Sequence, residues 1–97
     1  KTTYRPHLTM GEQEIIYHTA DGKLLETSIG NLVLKMNSKL YTPPSILGIL
    51  PGIYRNHLLE IGQVEEKVLT LSELKEAEVI YACNAVRGLY ELSVKEH

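Results

Sequence analysis

The sequence predicts a single α+β domain with a mixed, mostly antiparallel sheet and two helices. Three observations lead to this prediction: an Asp-Gly pair joins two strand-like segments, two stretches have helical character, and a mostly apolar stretch in the last quarter is typical of a buried strand. The chain has 97 residues, 43% of them hydrophobic, which suits one small domain that buries a core with modest margin. We therefore assign residues 1–97 to one domain.

The first half of the chain is predicted to form a sheet. Residues Glu14–Thr19 are rich in branched and aromatic side chains, and the Ala20–Gly22 turn connects them to Lys23–Thr27, which predicts an antiparallel hairpin. Asn31–Asn37 is predicted as a third strand, and Leu40–Thr42 follows it after a short turn. The expected result is a four-stranded meander.

Proline residues end this sheet and open the first helix. Neither residue of Pro43-Pro44 can donate to a ladder, and proline is favoured at the first position of a helix, so Pro51–Ile61 is predicted to be helical. The periodicity groups Ile53, His57, Leu58 and Ile61 near one face and places Arg55, Asn56 and Glu60 elsewhere.

The remaining segments alternate between strand and helix. Val64–Thr70 is predicted as a strand, and Leu71–Ala77 as a short helix with Ser72 as its cap. Val79–Asn84 is apolar enough for a buried strand, and Leu89–Val94 is predicted as a last strand.

Charge and composition argue against several kinds of partner. Ten basic and twelve acidic side chains leave a net charge of -2 with no basic cluster, so we expect no binding to nucleic acid or to an anionic membrane. The apolar runs are too short to cross a bilayer. The single Cys83 cannot form an internal disulfide and packs best as a thiol, and the four histidines lack metal-ligand spacing. We expect a cytoplasmic protein without a metal site.

The loop Ser45–Arg55 is the first candidate binding site. It is rich in small residues and leads directly into a helix N-terminus, where unpartnered N–H groups and the helix dipole favour an anion. Gly48 and Gly52 allow the backbone to approach a phosphate closely. A plain structural loop is the alternative, because the segment has neither a P-loop nor a dinucleotide-binding pattern.

Two other segments end strands with polar residues. Glu26 follows a hairpin strand, and a carboxylate there can keep a pyridine nitrogen protonated; an exposed strand-end Glu is the alternative. Asn84–Gly88 follows the buried strand, where the amide can bind phosphate oxygens and Arg87 can hold a substrate carboxylate, unless Arg87 is simply solvated.

Taken together and in order, these motifs resemble the class IV aminotransferase-like, or fold-type IV, pyridoxal-phosphate enzymes. The resemblance rests on Glu26–Asn31, Thr42–Pro44, Gly48–Arg55, Leu69–Glu76 and Asn84–Gly88. The opening Lys1–Arg5 and the Asn-Ala-Val-Arg-Gly ending are most similar to the lyase domains fused to aminodeoxychorismate synthase. The resemblance implies the C-terminal domain of this fold, with its sheet curled into a pseudobarrel (D-amino-acid aminotransferase-like).

The resemblance also implies pyridoxal 5'-phosphate as cofactor and assigns roles to individual residues. Lys1 would be the catalytic lysine that attaches the cofactor, Glu26 would pair with the pyridine nitrogen, and Arg87 would face the substrate. The residues that would bind the cofactor are Glu26, Ser28, Asn31, Gly48, Ile49, Leu50, Asn84 and Ala85.

The implied activity is release of pyruvate and 4-aminobenzoate from aminodeoxychorismate, a step of folate biosynthesis. A branched-chain or D-amino-acid transaminase is the alternative within the same scaffold, and a non-catalytic fragment or interaction module is the alternative outside it. Because the chain begins at Lys1 without Met, we interpret it as a fragment. We expect a missing N-terminal domain that completes the pocket, a homodimer, and weak cofactor affinity and no activity for the isolated piece.

Overall fold

The computed structural model describes residues 2–4, 15–28 and 30–92 of the chain. Within these residues eight strands form one sheet, and two α-helices pack on it. The strands are β1 Thr2–Tyr4, β2 Ile16–His18, β3 Leu24–Thr27, β4 Asn31–Met36, β5 Lys39–Thr42, β6 Glu65–Glu66, β7 Val79–Asn84 and β8 Gly88–Leu92. The helices are α1 Ile53–Glu60 and α2 Leu71–Glu76, and a 3-10 turn covers Ser45–Leu47.

Strand β4 is the centre of the sheet. One of its edges pairs with β3 at Asn31 and with β5 from Leu34 onward, and its other edge pairs with β7 over Asn31–Lys35. These pairings are antiparallel, as are β1 with β2, β2 with β3, and β7 with β8, whereas β5 and β6 are parallel. The predicted α+β architecture with a mixed, mostly antiparallel sheet and two helices is confirmed.

The two helices cover opposite faces of this sheet, because successive side chains of a strand point to opposite sides. Leu32 and Leu34 of β4 pack in one apolar cluster with Leu74 of α2. Val33, between them in sequence, packs in a second cluster with Leu58 of α1. All five side chains are at most 3% exposed. This alternation fixes the register of β4, since a slip by one residue would exchange the two clusters.

Of the four side chains that the periodicity groups near one face of α1, only Leu58 is buried. Ile53 is 80% exposed and Ile61 is 52% exposed, whereas the side chains that α1 buries are Arg55 and Leu58. Hydropathy places an arginine on the outside, but this guanidinium is buried among polar partners described below. The helix also begins two residues later than predicted, at Ile53, with Gly52 as its N-cap.

The segment before α2 also differs from its prediction. Of the predicted strand Val64–Thr70, only Glu65–Glu66 forms a strand, which runs alongside β5 for two residues, and Thr70 makes a single isolated bridge with Lys23. Helix α2 is capped by Thr70 instead of Ser72: the Thr70 hydroxyl accepts from the Glu73 N–H, and the Glu73 carboxylate accepts from the Thr70 N–H. This reciprocal capping box satisfies two backbone donors that the helix leaves unpaired.

Helix length bears on the membrane question. In the part of the chain that the structure describes, no helix is long and apolar enough to cross a bilayer.

Gly30 lets the turn after β3 lie against the end of β7. A Cβ atom on Gly30 would overlap with the Cys83 carbonyl group, which belongs to the backbone and cannot rotate away. The close approach holds Asn31 beside the last residues of β7, and Glu26 pairs with Asn31 on the opposite edge of β4.

We therefore expect Gly30→Ala to lower the free energy of unfolding by about 2–3 kcal/mol, the range of an overpacked core. Gly62→Ala is the matched control, because a Cβ at Gly62 meets no atom within 4 Å and only its φ of 74° is unfavourable. The control should cost about 1 kcal/mol. Urea unfolding of both variants measures the difference, and equal costs would contradict the proposed contact.

Candidate functional site

Three of the predicted site segments meet at one end of the sheet. Strand register places Glu26 of β3 opposite Asn31 of β4, and Asn31 opposite Cys83 of β7. Asn84 lies one residue further along β7, opposite Gly88. Glu26 and Asn84 are 58 positions apart in sequence. The register brings them to the same end of the sheet, where Asn84 lies one residue beyond the level of Glu26.

The loop Ser45–Arg55 reaches the same end through the peptide groups of Leu50. The Leu50 N–H donates to Oε1 of Glu26 at 3.0 Å, and Nδ2 of Asn31 donates to the Leu50 carbonyl at 2.8 Å. The same carbonyl also accepts from the Gly52 N–H at 2.9 Å, which closes a tight turn around Pro51. The structure thus joins Glu26, Asn31 and Leu50 directly.

Helix α1 begins where this turn ends, and its N-terminus has the properties of an anion site. No acceptor in the described part of the chain takes a hydrogen bond from the backbone N–H groups of Ile53, Tyr54 or Arg55. The N-cap is a glycine without a side-chain acceptor, and the first turn carries no acidic residue. Three unpartnered donors at the positive end of the helix dipole favour a bound anion such as phosphate.

Two glycines, Gly52 and Gly88, allow other segments of the chain to lie close to the N-terminus of α1. A Cβ on Gly52 would overlap with Oδ1 of Asn31, so the helix can start against the Asn31 side chain only without one. Gly88 has a φ of 71°, and a Cβ there would lie 3.4 Å from Cζ of Tyr54. Gly88, which follows the turn, therefore lies beside the outer end of the Tyr54 ring.

Within the Asn84–Gly88 turn the side chains are already engaged. Oδ1 of Asn84 accepts from the N–H groups of Val86 and Arg87, at 3.0 and 2.8 Å, and so shapes the turn. The guanidinium of Arg87 lies 4.1 Å above the centre of the Tyr90 ring. Ala85 and Arg87 are exposed, so Arg87 can reach a molecule outside the sheet.

The remaining predicted residues lie around this centre in different ways. The Gly48 N–H ends the 3-10 turn by donating to the Ser45 carbonyl, and the Ile49 side chain is only 6% exposed. Ser28 exchanges two hydrogen bonds with the backbone of Ile15. Lys1 lies outside the described residues. The cofactor roles assigned to these four residues stay predictions.

Arg55 and Glu66 form an ion pair that sequence reasoning missed. The Arg55 side chain is 2% exposed, and its Nη2 donates to Oε2 of Glu66 and to the Pro43 carbonyl. The same Glu66 oxygen accepts from the Ser45 N–H at 3.3 Å. One carboxylate oxygen therefore ties together both ends of the loop Ser45–Arg55. The motif contains Arg55, but no local pattern indicates a partner 11 residues away.

Cys83 sits under the site and is not a nucleophile. It is fully buried, and burial raises the pKa of its thiol to about 11, although the charge of Arg55 acts in the opposite direction. A thiol that stays protonated at neutral pH packs as a small apolar group. The sequence-based interpretation of Cys83 as a packed thiol agrees with this environment.

This fold is that of the corresponding domain of fold-type IV aminotransferases. The family model for amino-transferase class IV matches residues 3–93, nearly the whole chain. The chain therefore belongs to the class IV aminotransferase family.

The names of individual relatives include both aminotransferases and an aminodeoxychorismate lyase. The chain is 30% identical over 100 residues to a probable branched-chain-amino-acid aminotransferase of Thermotoga maritima. The match covers 92% of this chain and 37% of that protein. A putative amino-acid aminotransferase from Mesorhizobium loti superimposes with a TM-score of 0.76, at 32% identity over 80% of this chain and 38% of that one.

A putative 4-amino-4-deoxychorismate lyase from Legionella pneumophila superimposes with a TM-score of 0.74, at 27% identity over 91% of this chain and 37% of that one. An aminotransferase from Brucella abortus, whose structure contains the cofactor PLP, superimposes with a TM-score of 0.64 at 25% identity, over 72% of this chain and 27% of that one. The chain spans between 22% and 37% of the length of the curated relatives that it matches.

The Arg55–Glu66 pair makes the stability of the loop depend on pH. A hydrogen bond from Arg55 holds the pKa of the Glu66 carboxyl below its ordinary value of 4.5. A lowered pKa in the folded state means that the contribution to stability is present above the unfolded pKa and is lost as pH falls through the folded one.

We expect Glu66→Gln to lower the free energy of unfolding at pH 7 by about 2 kcal/mol, less than for a fully buried pair because Glu66 is partly exposed and Gln can still accept. The difference from the unchanged chain should shrink as pH falls below about 4.5. Glu65→Gln, in the same two-residue strand and exposed, is the control and should be nearly neutral. Urea titrations between pH 3 and pH 7 measure both; a difference that does not vary with pH would refute the role of the pair.

Proposed function

We propose that the chain is the cofactor-holding C-terminal domain of a pyridoxal-phosphate-dependent 4-amino-4-deoxychorismate lyase, which releases pyruvate and 4-aminobenzoate. The observation that carries the proposal is the convergence of the Glu26 carboxylate and the uncapped N-terminus of α1 on one peptide, that of Leu50, in a chain of the class IV family. A carboxylate and an anion site at one sheet end suit the two polar ends of the cofactor.

The residues present fit pyridoxal phosphate by the chemistry of their donors and acceptors. The three unpartnered N–H groups at the start of α1 can hold the phosphate, and the N-cap Gly52 has no side chain that would compete for them. Glu26 can accept a hydrogen bond from the protonated ring nitrogen. When bound, the cofactor supplies an electron sink for the negative charge that develops on the substrate.

The chain's own residues then have distinct tasks. Lys1 would attach the cofactor through its amine, and that amine would hold or transfer a proton at the substrate carbon. Glu26 would accept a hydrogen bond from the ring nitrogen and favour its protonated form. Arg87, exposed beside the Asn84 turn, orients a substrate carboxylate. Asn84 and Ala85, in the turn that ends at Gly88 beside Tyr54, would complete the phosphate side.

The choice of lyase over transaminase is supported by the likeness of the Asn84–Gly88 ending and of the opening residues to fused lyase domains, and by the extent of the match to the Legionella protein. The name of the Thermotoga relative favours a branched-chain transaminase as second candidate, and a D-amino-acid transaminase is the other alternative within the same scaffold. We further propose a cytoplasmic homodimer in which an N-terminal domain, outside this sequence, closes the pocket.

The cofactor assignment predicts a covalent label on Lys1. After incubation of the full-length protein that contains this chain with pyridoxal phosphate and reduction with borohydride, peptide mapping by mass spectrometry should place the label on the side chain of Lys1 and on none of the chain's other lysines. Lys1→Ala should abolish the label without changing the unfolding transition. Label on a different lysine would refute the role of Lys1, and absence of cofactor binding would support the alternative of a non-catalytic fragment.

Assays of the full-length protein that contains this chain distinguish the lyase from the transaminase reaction. We expect it to form pyruvate and 4-aminobenzoate from aminodeoxychorismate, and we expect the variant of Lys1 to be slower by about a thousandfold, within the usual contribution of a general acid–base group. Formation of a keto acid from leucine or D-alanine, without 4-aminobenzoate from aminodeoxychorismate, would instead identify the transaminase.

A further inference from the structure

We infer that Asn31 is a positioning residue that holds the Leu50 peptide, and through it sets the Glu26 carboxylate and the first turn of α1 relative to each other. The inference deepens the proposed function. It rests on that function only in assuming that the distance between Glu26 and the first turn of α1 matters for cofactor binding. It assigns Asn31 a task within the protein in place of direct contact with a bound molecule.

The Leu50 peptide has no apolar anchor of its own. The Leu50 side chain is 71% exposed and Pro51 is exposed, so burial does not hold this part of the loop, although Ile49 before it is buried. What remains are polar bonds: the N–H to Glu26, and the carbonyl shared by Asn31 and Gly52. The bond from Gly52 is local, so Asn31 and Glu26 are the groups that attach the turn to the sheet.

Asn31 is well suited to this task because its own position is fixed. Its side chain is 4% exposed, and its backbone pairs with β3 on one side and β7 on the other. With Nδ2 directed to the Leu50 carbonyl, Oδ1 lies where a Cβ of Gly52 would be. One buried amide therefore contacts the turn on both sides of Pro51.

The consequence is a link between two parts of the site. Leu50 binds Glu26 directly, and α1 begins only three residues later, at Ile53. A shift of the Leu50 peptide therefore moves the donor that orients Glu26 and also the start of α1, whose first N–H groups have no acceptor among the described residues. Asn31 keeps the carboxylate and the anion-binding donors at one separation.

Hydrogen exchange of the Leu50 amide tests this without any cofactor. Asn31→Asp keeps the size of the side chain but replaces the donor by an acceptor, and Asn31→Ala removes it. In the 97-residue chain, both variants should lower protection of the Leu50 N–H at least tenfold, beyond any change at the Val33 amide in the core of β4.

Asn37→Asp is the matched control, because Asn37 is exposed and follows β4 at its opposite end. It makes the same chemical change and should leave Leu50 protection unaltered. An unchanged Leu50 amide in the Asn31 variants, or an equal loss at Leu50 and Val33, would overturn the inference, the second because it indicates general destabilisation.

Cofactor binding separates this inference from the proposed function. If the full-length protein that contains this chain binds pyridoxal phosphate, Asn31→Asp should raise the dissociation constant about tenfold and Asn37→Asp should not change it. If that full-length protein does not bind pyridoxal phosphate, the proposed function fails, whereas the Leu50 exchange rates still decide the role of Asn31. Unchanged affinity together with faster exchange at Leu50 would refute the link to the site.

Discussion

A buried guanidinium organises the part of the molecule that forms the site. Arg55 lies in the first turn of α1, where the helix dipole already disfavours positive charge, and its side chain is 2% exposed. Removing such a charge from water is costly unless an opposite charge and further acceptors compensate it. Glu66 and the Pro43 carbonyl supply this compensation, and because Glu66 also binds Ser45, the loop is closed at its base. The cost of leaving Arg55 unpaired keeps the loop in one place.

The loop closed in this way is held in its middle by the sheet. Glu26 and Asn31 bind the Leu50 peptide from two adjacent strands, so the loop is attached at its beginning, centre and end. Each attachment is polar, whereas the sheet itself is held by apolar clusters on both faces of β4. This division suits a binding site, since apolar packing fixes the scaffold while hydrogen bonds aim individual backbone groups.

Local patterns in the sequence were sufficient for much of the fold. The Asp21-Gly22 turn between β2 and β3, and the bounds of β7, follow from turn chemistry and from apolar runs that involve neighbouring residues only. The buried face of α1 could not be predicted, because Arg55 is compensated by Glu66, which is distant in sequence. The same limit applies to the N-cap of α2. Thr70 and Ser72 are both suitable cap residues, and the path of the chain in the fold, which the local sequence does not encode, makes Thr70 the cap.

The site residues show the same division between local and long-range information. The resemblance to class IV aminotransferases selected Glu26 and Asn31, and the strand register brings them together. That Asn31 binds the Leu50 carbonyl depends on the path of a loop 19 residues away, which no spacing rule encodes.

The exposed apolar side chains at this end of the sheet bear on how the site is completed. Leu50, Ile53 and Val86 are 71%, 80% and 93% exposed, and they flank the turn and helix that contain the anion-binding donors. Water can solvate these unpartnered N–H groups and surround the apolar side chains at a small cost in free energy. A pocket that binds a cofactor ring and its phosphate has to exclude more of this water. A further domain or a second subunit that covers these three side chains would exclude water from the same place where the helix dipole and Glu26 act. The electrostatic interactions of both with a bound molecule would then be strengthened, so we expect the affinity of this site for its cofactor to rise when that surface is covered.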